Sequence, residues 1–379
     1  MDFDFSDQQY LFRETFHGFL EQNHDLKKHA ALLEGDGFDA DLWQRLTDLG
    51  LFSMLVPEKY GGLGLSFVDM ALVFEELGMA LVGSPVAETI AASDMIVRHG
   101  SAAQQASLLP LLAAGKLRIA IAIMEPESGF GEQNIQTRAT STGNGWRLNG
   151  HKIMVPHAKG ADLIMVAARI GSTQTLGLML VDAQRAGQAR HEHATLDPAC
   201  RFYALSFDNV SVDAEDILGA ASPHPASLAR LMDVSSALAA LQLTGIASKV
   251  LDISVAYGAQ RIQFGKPIGS FQAIKHKCAD MAVAIDASRS AAYYCAWAIA
   301  EDAPDRAKAV SIAKSFCGDT ARLVCNEGIQ IHGGMGFTWE LGLHWYLRRA
   351  KVLEFSHGDA AFHRERVMAA TLAELDEQE

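Results

Sequence analysis

No uninterrupted apolar run in this chain of 379 residues reaches the roughly 18 positions that a membrane-spanning helix needs, so no membrane span is expected. Cysteine is scarce: five residues, at 200, 278, 295, 317 and 325, odd in number and scattered. Such a set makes neither a disulfide framework nor a metal centre, and it fits a reducing cytoplasm. Positive charge is also short. With 32 Lys and Arg against 45 Asp and Glu, the net charge is −13, and no dense basic stripe interrupts it. An extended nucleic-acid surface is therefore not expected. The opening MDFDFSDQQ is acidic, which is not the basic, apolar, small-residue order of a secretory leader.

What is present is an ordinary globular composition, 49% apolar and 20% charged, in a chain long enough for two or three domains. Three textures follow one another. Residues 1–115 read as an N-terminal helical domain. Ser6 and Gln9 form a capping box ahead of Tyr10, Leu11, Phe12, Phe16, Phe19 and Leu20. A second helix runs from about Asp39 to Gly50, the loop VPEKYGGLG (56–64) breaks the pattern, and another helix begins near Ser66. Residues 116–223 change to a period of two. RIAIAIME, WRLNG, KIMV, DLIMVAAR, LGLMLV and LSFDNVSV are short, apolar or β-branched, and separated by turn residues. They predict a middle β-barrel or sandwich domain. Residues 224–379 return to long helices, at about 226–258, 271–301, 305–331 and 341–354, with a last one from near Asp359. Long antiparallel helices with short connections predict a four-helix bundle. The fold class expected is thus α+β, multidomain.

Four stretches carry a family likeness: PEKYGG (57–62), RIQFGKPIGSFQ (261–272), QIHGGMGFT (330–338) and RRAK (348–351). In this order and spacing the chain resembles the acyl-CoA dehydrogenase family along its whole length, down to the β-domain ending DPACRFYALSFDNVSV (197–212). The opening MDFDFSDQQ is similar to a divergent branch, the small subunits of pimeloyl-CoA-type and steroid side-chain-type heteromeric dehydrogenases.

The resemblance implies FAD as cofactor, an acyl-CoA thioester as substrate and electron-transfer flavoprotein as oxidant. Such chemistry needs a base for the α proton, an acceptor for the β hydride and hydrogen bonds on the thioester oxygen. In the family the base is a glutamate at one of two places, which match His357 and Ser235 here. Neither is a carboxylate. A neutral imidazole at His357 is a proton acceptor in principle; otherwise it is a loop histidine. Glu354 and Asp359 lie off the expected position and read as surface or capping carboxylates. Asp233 falls about 200° around the helix from Ser235 and reads as solvated.

The resemblance further implies flavin contacts shared between two subunits. Arg261 matches the arginine that bonds the pyrophosphate, with Phe264 beside it and Gln272 following. Gln330, Gly333 and Gly334 match the Gln-x-x-Gly-Gly stretch that approaches the nucleotide. The set expected beside the flavin ring has changed: Met124, Glu125 and Pro126 are followed by Phe130 in place of a serine, and Met154, Val155 and Pro156 replace Trp-Ile-Thr. Proline has no amide hydrogen to donate.

The reading adopted is a subunit whose own active site is vacated at His357 and which completes a catalytic partner's flavin site, two plus two. The alternatives are a self-sufficient enzyme, as a homotetramer, using His357 or a displaced carboxylate, and a scaffold that kept the fold without the flavin. PEKYGG is read as a turn without chemistry. The aromatic stripe Trp339, His344, Trp345 and Tyr346 reads as core or subunit contact, and Arg348 and Arg349 are expected to meet a partner or a carboxylate.

Overall fold

A computed structural model describes residues 5–35, 37–126, 129–143, 145–219, 224 and 226–376. By compactness the chain divides into two units that interleave in sequence, one made of residues up to Ala30, Phe67–Val82 and Ser236 onward, the other of Ala31–Ser66 and Gly83–Ser235.

The first unit is helical. Helix α1 (Asp7–Asn23) opens on the expected capping box: the Gln9 amide donates to Ser6 Oγ at 3.3 Å, and Gln9 Oε1 accepts from the Ser6 amide at 2.9 Å. Helix α2 (Leu26–Glu34) follows. Helix α4 (Phe67–Met79) packs against α1, and the long helices are α7 (Ala226–Gln260, in this unit from Ser236), α8 (Gln272–Ala300), α9 (Arg306–His332), α10 (Leu343–Phe355) and α11 (Ala360–Asp376). Helix α9 is the centre, touching α8, α10 and α11. Helices α4 and α7 cross at two glycines. A Cβ on Gly245 would overlap the Glu75 carbonyl, and one on Gly78 would overlap the Gln242 backbone. Only glycine permits that approach.

Helix α7 is long and apolar enough to cross a membrane by length and composition, yet 89% of its apolar window is buried inside the fold. A helix apolar all round is what the middle of a helical core requires.

The second unit holds α3 (Ala40–Asp48), whose N-cap is Asp39, with α5 (Val86–His99), α6 (Ala102–Ala113) and the sheet. Its strands are β1 (Ile119–Ala122), β2 (Arg138–Ser141), β3 (Trp146–Pro156), β4 (Leu163–Ile170), β5 (Thr175–Asp182), β6 (Gln188–His193) and β7 (Phe202–Val212). They form one sheet in the order β1-β4-β2-β3-β7-β6, with β5 also on β4. WRLNG and KIMV prove to be one strand, β3. Strands β2 and β6 lie outside the apolar segments read from sequence. Strand β6, QARHEH, is a sheet edge with no buried residue, so it carries charge where an interior strand carries Val or Ile. The α+β class, with helical, β and helical parts in that order, is the one adopted.

Candidate functional site

RIQFGKPIGSFQ follows the C-terminal end of α7, and QIHGGMGFT spans the C-terminal end of α9. The Arg261 amide donates to Tyr257 O at 2.8 Å, continuing the last turn of α7, and the chain then makes a two-stranded hairpin, β8 (Ile262–Gln263) with β9 (Lys266–Pro267). Its tip residues, Phe264 and Gly265, both have positive φ, 52° and 78°, as the tightest hairpin turn demands. Phe264 is 91% exposed, an unusual place for an aromatic ring. Arg261 and Gln272 are exposed too.

The end of α9 is fastened to the end of α7 by the Tyr257 and His332 rings, stacked 4.3 Å apart. His332 Nδ1 donates to Gly328 O at 2.7 Å, and burial holds its imidazole below the ordinary range. Gly333 ends the helix with φ 58°, and neither it nor Gly334 has an atom within 4 Å of where a Cβ would stand. Beside them is a cavity of about 370 Å³ lined by Asn326, Ile329, Gln330, Gly333, Phe337 and Leu347. Nearby, Trp339 is exposed with the Arg348 guanidinium 5.7 Å over its ring, while His344, Trp345 and Tyr346 are buried.

His357 lies in the short turn between α10 and α11, half-buried, in the left-handed backbone region at φ 59°. Its carbonyl accepts from His363 Nε2 at 3.1 Å and from Ser236 Oγ at 3.4 Å. Burial and the Lys314 ammonium push its imidazole down to about 4. Asp359 caps α11, accepting from the Phe362 amide at 2.9 Å.

Two expectations about side chains are corrected. Glu354 is no surface carboxylate; it is 8% exposed and paired with Lys351 at 2.9 Å and Arg322 at 3.1 Å. Asp233 is not solvated but fully buried on α7. Periodicity places a residue on a helix face; it does not say that a face is dry on all sides. The Arg349 guanidinium is buried and donates to Val82 O at 2.9 Å. Ser235 is buried, and its hydroxyl has no hydrogen-bond partner among the described residues.

In the sheet unit, Glu125 is locked into structure. Its carboxylate takes the buried Lys152 ammonium at 2.7 Å and the Gln136 and Thr137 amides at 2.7 and 2.9 Å. Burial pushes Lys152 down to about 8 against the pull of Glu125. Two residues on, β3 bulges against β7, and Met154 and His157 flank Val155-Pro156 with positive φ, 52° and 51°.

Lys314, His363 and Lys152 were missed in the sequence. The signal for Lys314 was a lone lysine in the otherwise small and apolar SIAKSFCG of α9.

Comparison with known proteins agrees with the domain order. The acyl-CoA dehydrogenase N-terminal domain matches residues 6–116, the middle domain 120–210 and the C-terminal domain 226–372. A short-chain specific acyl-CoA dehydrogenase of Megasphaera elsdenii is 32% identical over 378 residues, 94% of this chain and 96% of that one. The structure of butyryl-CoA dehydrogenase from Megasphaera elsdenii superposes with a TM-score of 0.89 at 29% identity, covering 98% of this chain and 100% of that one. A chain of the ChsE4–ChsE5 complex from Mycobacterium tuberculosis superposes with a TM-score of 0.90 at 26% identity, over 99% of both chains. With all three domains matched in order, over a fold shared from end to end, this chain belongs to the acyl-CoA dehydrogenase family, whose cofactor is FAD.

Proposed function

We propose that the chain is a subunit of a heteromeric acyl-CoA dehydrogenase that desaturates an acyl-CoA thioester, and that it completes the partner's flavin site while its own pocket is silent. The observation that carries this is that a histidine, not a carboxylate, stands in the turn between α10 and α11, with the neighbouring carboxylates engaged elsewhere. A base that takes a proton from carbon works best with an acid dissociation near ambient pH. An imidazole held neutral down to about 4 is far weaker than that. The neighbouring carboxylates are committed, Glu354 to Lys351 and Arg322, Asp359 to the cap of α11.

The nucleotide end supports the other half of the reading. Exposed Arg261, the open backbone at Gly333 and Gly334 and the adjacent cavity fit a pyrophosphate and its nucleoside. Arg261 would bind the phosphates, Phe264 and Gln272 would flank them, and Gln330 with the two glycines would line the nucleotide. The ring side fits less well: Pro156 offers no N–H, and Glu125 is consumed by Lys152. Bound FAD supplies the two-electron acceptor; these side chains hold and orient it. The likeness to the ChsE4–ChsE5 complex supports a heteromer, taken here as two plus two, with the three-part division 1–115, 116–223 and 224–379. Electron-transfer flavoprotein as oxidant and a cytoplasmic location belong to the same reading.

The test is coexpression with the product of a neighbouring dehydrogenase gene, followed by a flavin count per chain. The chain alone is expected to be colourless or weakly flavinylated, and the pair yellow and active. A bright yellow homotetramer that is reduced by an acyl-CoA, and loses this with His357→Ala, would favour the self-sufficient enzyme instead. A chain colourless with every partner would favour the scaffold.

A further inference from the structure

Three carbonyls at the junction of α10 and α11, those of Glu354 in the last turn of α10 and of His357 and Gly358 in the turn after it, are held by side chains from three helices. Lys314 Nζ, from α9, donates to Glu354 O and Gly358 O, both at 2.9 Å. His363, from α11, and Ser236, from α7, both reach His357 O. A carbonyl only accepts, so His363 carries its proton on Nε2. Its Nδ1 lies 3.3 Å from Ser311 Oγ. Gly358 has φ 106°, and a Cβ there would overlap the Phe362 ring and crowd His363. The turn is therefore fixed from inside.

Lys314 is 1% exposed, and among the described residues no ion pair reaches it. Carbonyl dipoles solvate an ammonium without cancelling its charge, so a net positive charge stays beneath the turn. The charged and titratable groups around it are Lys314 and Cys317 from α9, Glu354 from α10 with Lys351 and Arg322 upon it, and Asp359, His363 and Arg366 at α11. From helix α7 the Ser236 hydroxyl reaches the turn.

We propose that Lys314 is the positioning residue of this turn: it fixes the left-handed backbone at His357 and Gly358 through two carbonyls, and its charge reserves position 357 for a neutral or carboxylate group and against a cation. The inference rests on the preceding reading only in taking this turn as the proton-transfer position; the geometry stands without it. The low range of the His357 and His363 imidazoles, about 4 and about 3, agrees with it.

The experiment is a side-chain ¹⁵N NMR titration of the histidines in the full chain. In the wild type the His357 ring is expected to stay neutral to about pH 5, and in Lys314→Met its midpoint is expected to rise by about one unit or more. A wild-type midpoint at the ordinary 6.5, or no rise in Lys314→Met, overturns the proposal. Should Lys314→Met not fold, the melting comparison that follows decides. A second arm compares melting at pH 7: His357→Glu is expected to melt no lower than His357→Gln, and a melt lower by about 3 °C or more overturns the charge preference. Neither arm needs flavin or partner, so their failure leaves the heteromer reading standing, and a failed coexpression leaves them unaffected.

Discussion

The Lys152 ammonium lies 2.7 Å from the Glu125 carboxylate with both side chains buried, and this pair joins the segment after β1 to the strand that carries Met154–Pro156. Burial alone would raise Glu125, but Lys152 and the Thr137 amide outweigh it and hold the carboxyl below its ordinary range. Removing one member of a buried pair strands the other charge, which costs about 3–5 kcal/mol. Glu125→Gln is expected to lose that much in urea unfolding. Lys152→Met is expected to lose less, because Glu125 keeps two amide donors. A loss under about 1 kcal/mol for Glu125→Gln would show that the pair is not buried in solution.

The crossing of α4 and α7 gives a second expectation. Gly245→Ala places a methyl on the Glu75 carbonyl, which is backbone and cannot step aside. A destabilisation of about 1–3 kcal/mol is expected. Gly334→Ala, with open space around it, is expected to cost little in stability. Equal melting temperatures for the two variants would contradict the crossing.

Flavin retention separates the two candidate regions. In the complex, Arg261→Ala is expected to weaken FAD retention about tenfold or more, as the loss of a charged phosphate contact would. His357→Ala is expected to leave retention near wild type. Released flavin, measured by fluorescence after gel filtration, reports both; equal losses would count against the division of labour.

Acid stability follows from the buried imidazoles. His357 and His363 have folded values near 4 and 3 against 6.5 for a free imidazole, so between those limits the unfolded chain binds more protons. Their contribution to stability is complete above about 6.5 and is lost progressively as pH falls through the folded values. His99, His332 and His344, also lowered by burial, add to the same slope. Urea midpoints are expected to fall from pH 6.5 to pH 4.5 and to fall less in His363→Gln. A midpoint flat across that range would contradict it.

Helix ends were readable because caps are local chemistry. Ser6 with Gln9, and Asp39, announced their helices within four residues, and the four long C-terminal helices lie within two residues of their expected ends. Strands β4 and β5 were readable because both bury nearly continuous apolar runs. Strands β2 and β6 were not, since their pairing comes from neighbours and their own side chains are mostly polar. In the candidate site, the motif residues at 261–272 and 330–334 were visible as sequence, while the approach of the two helix ends that carry them rests on the Tyr257–His332 stack.

What the sequence determined by itself was the order of helical, β and helical parts, the family, and the absence of a carboxylate at positions 235 and 357. Tertiary structure alone decided which polar groups lie in a dry interior: Asp233 and Glu354 are buried, Lys152 has its counter-ion in Glu125, and Lys314 sits beneath His357. The reason is physical. Capping and hydrophobic periodicity act over a few neighbours along the chain, whereas the cost of a buried charge is set by partners tens of residues away, and only folding brings those within 3 Å.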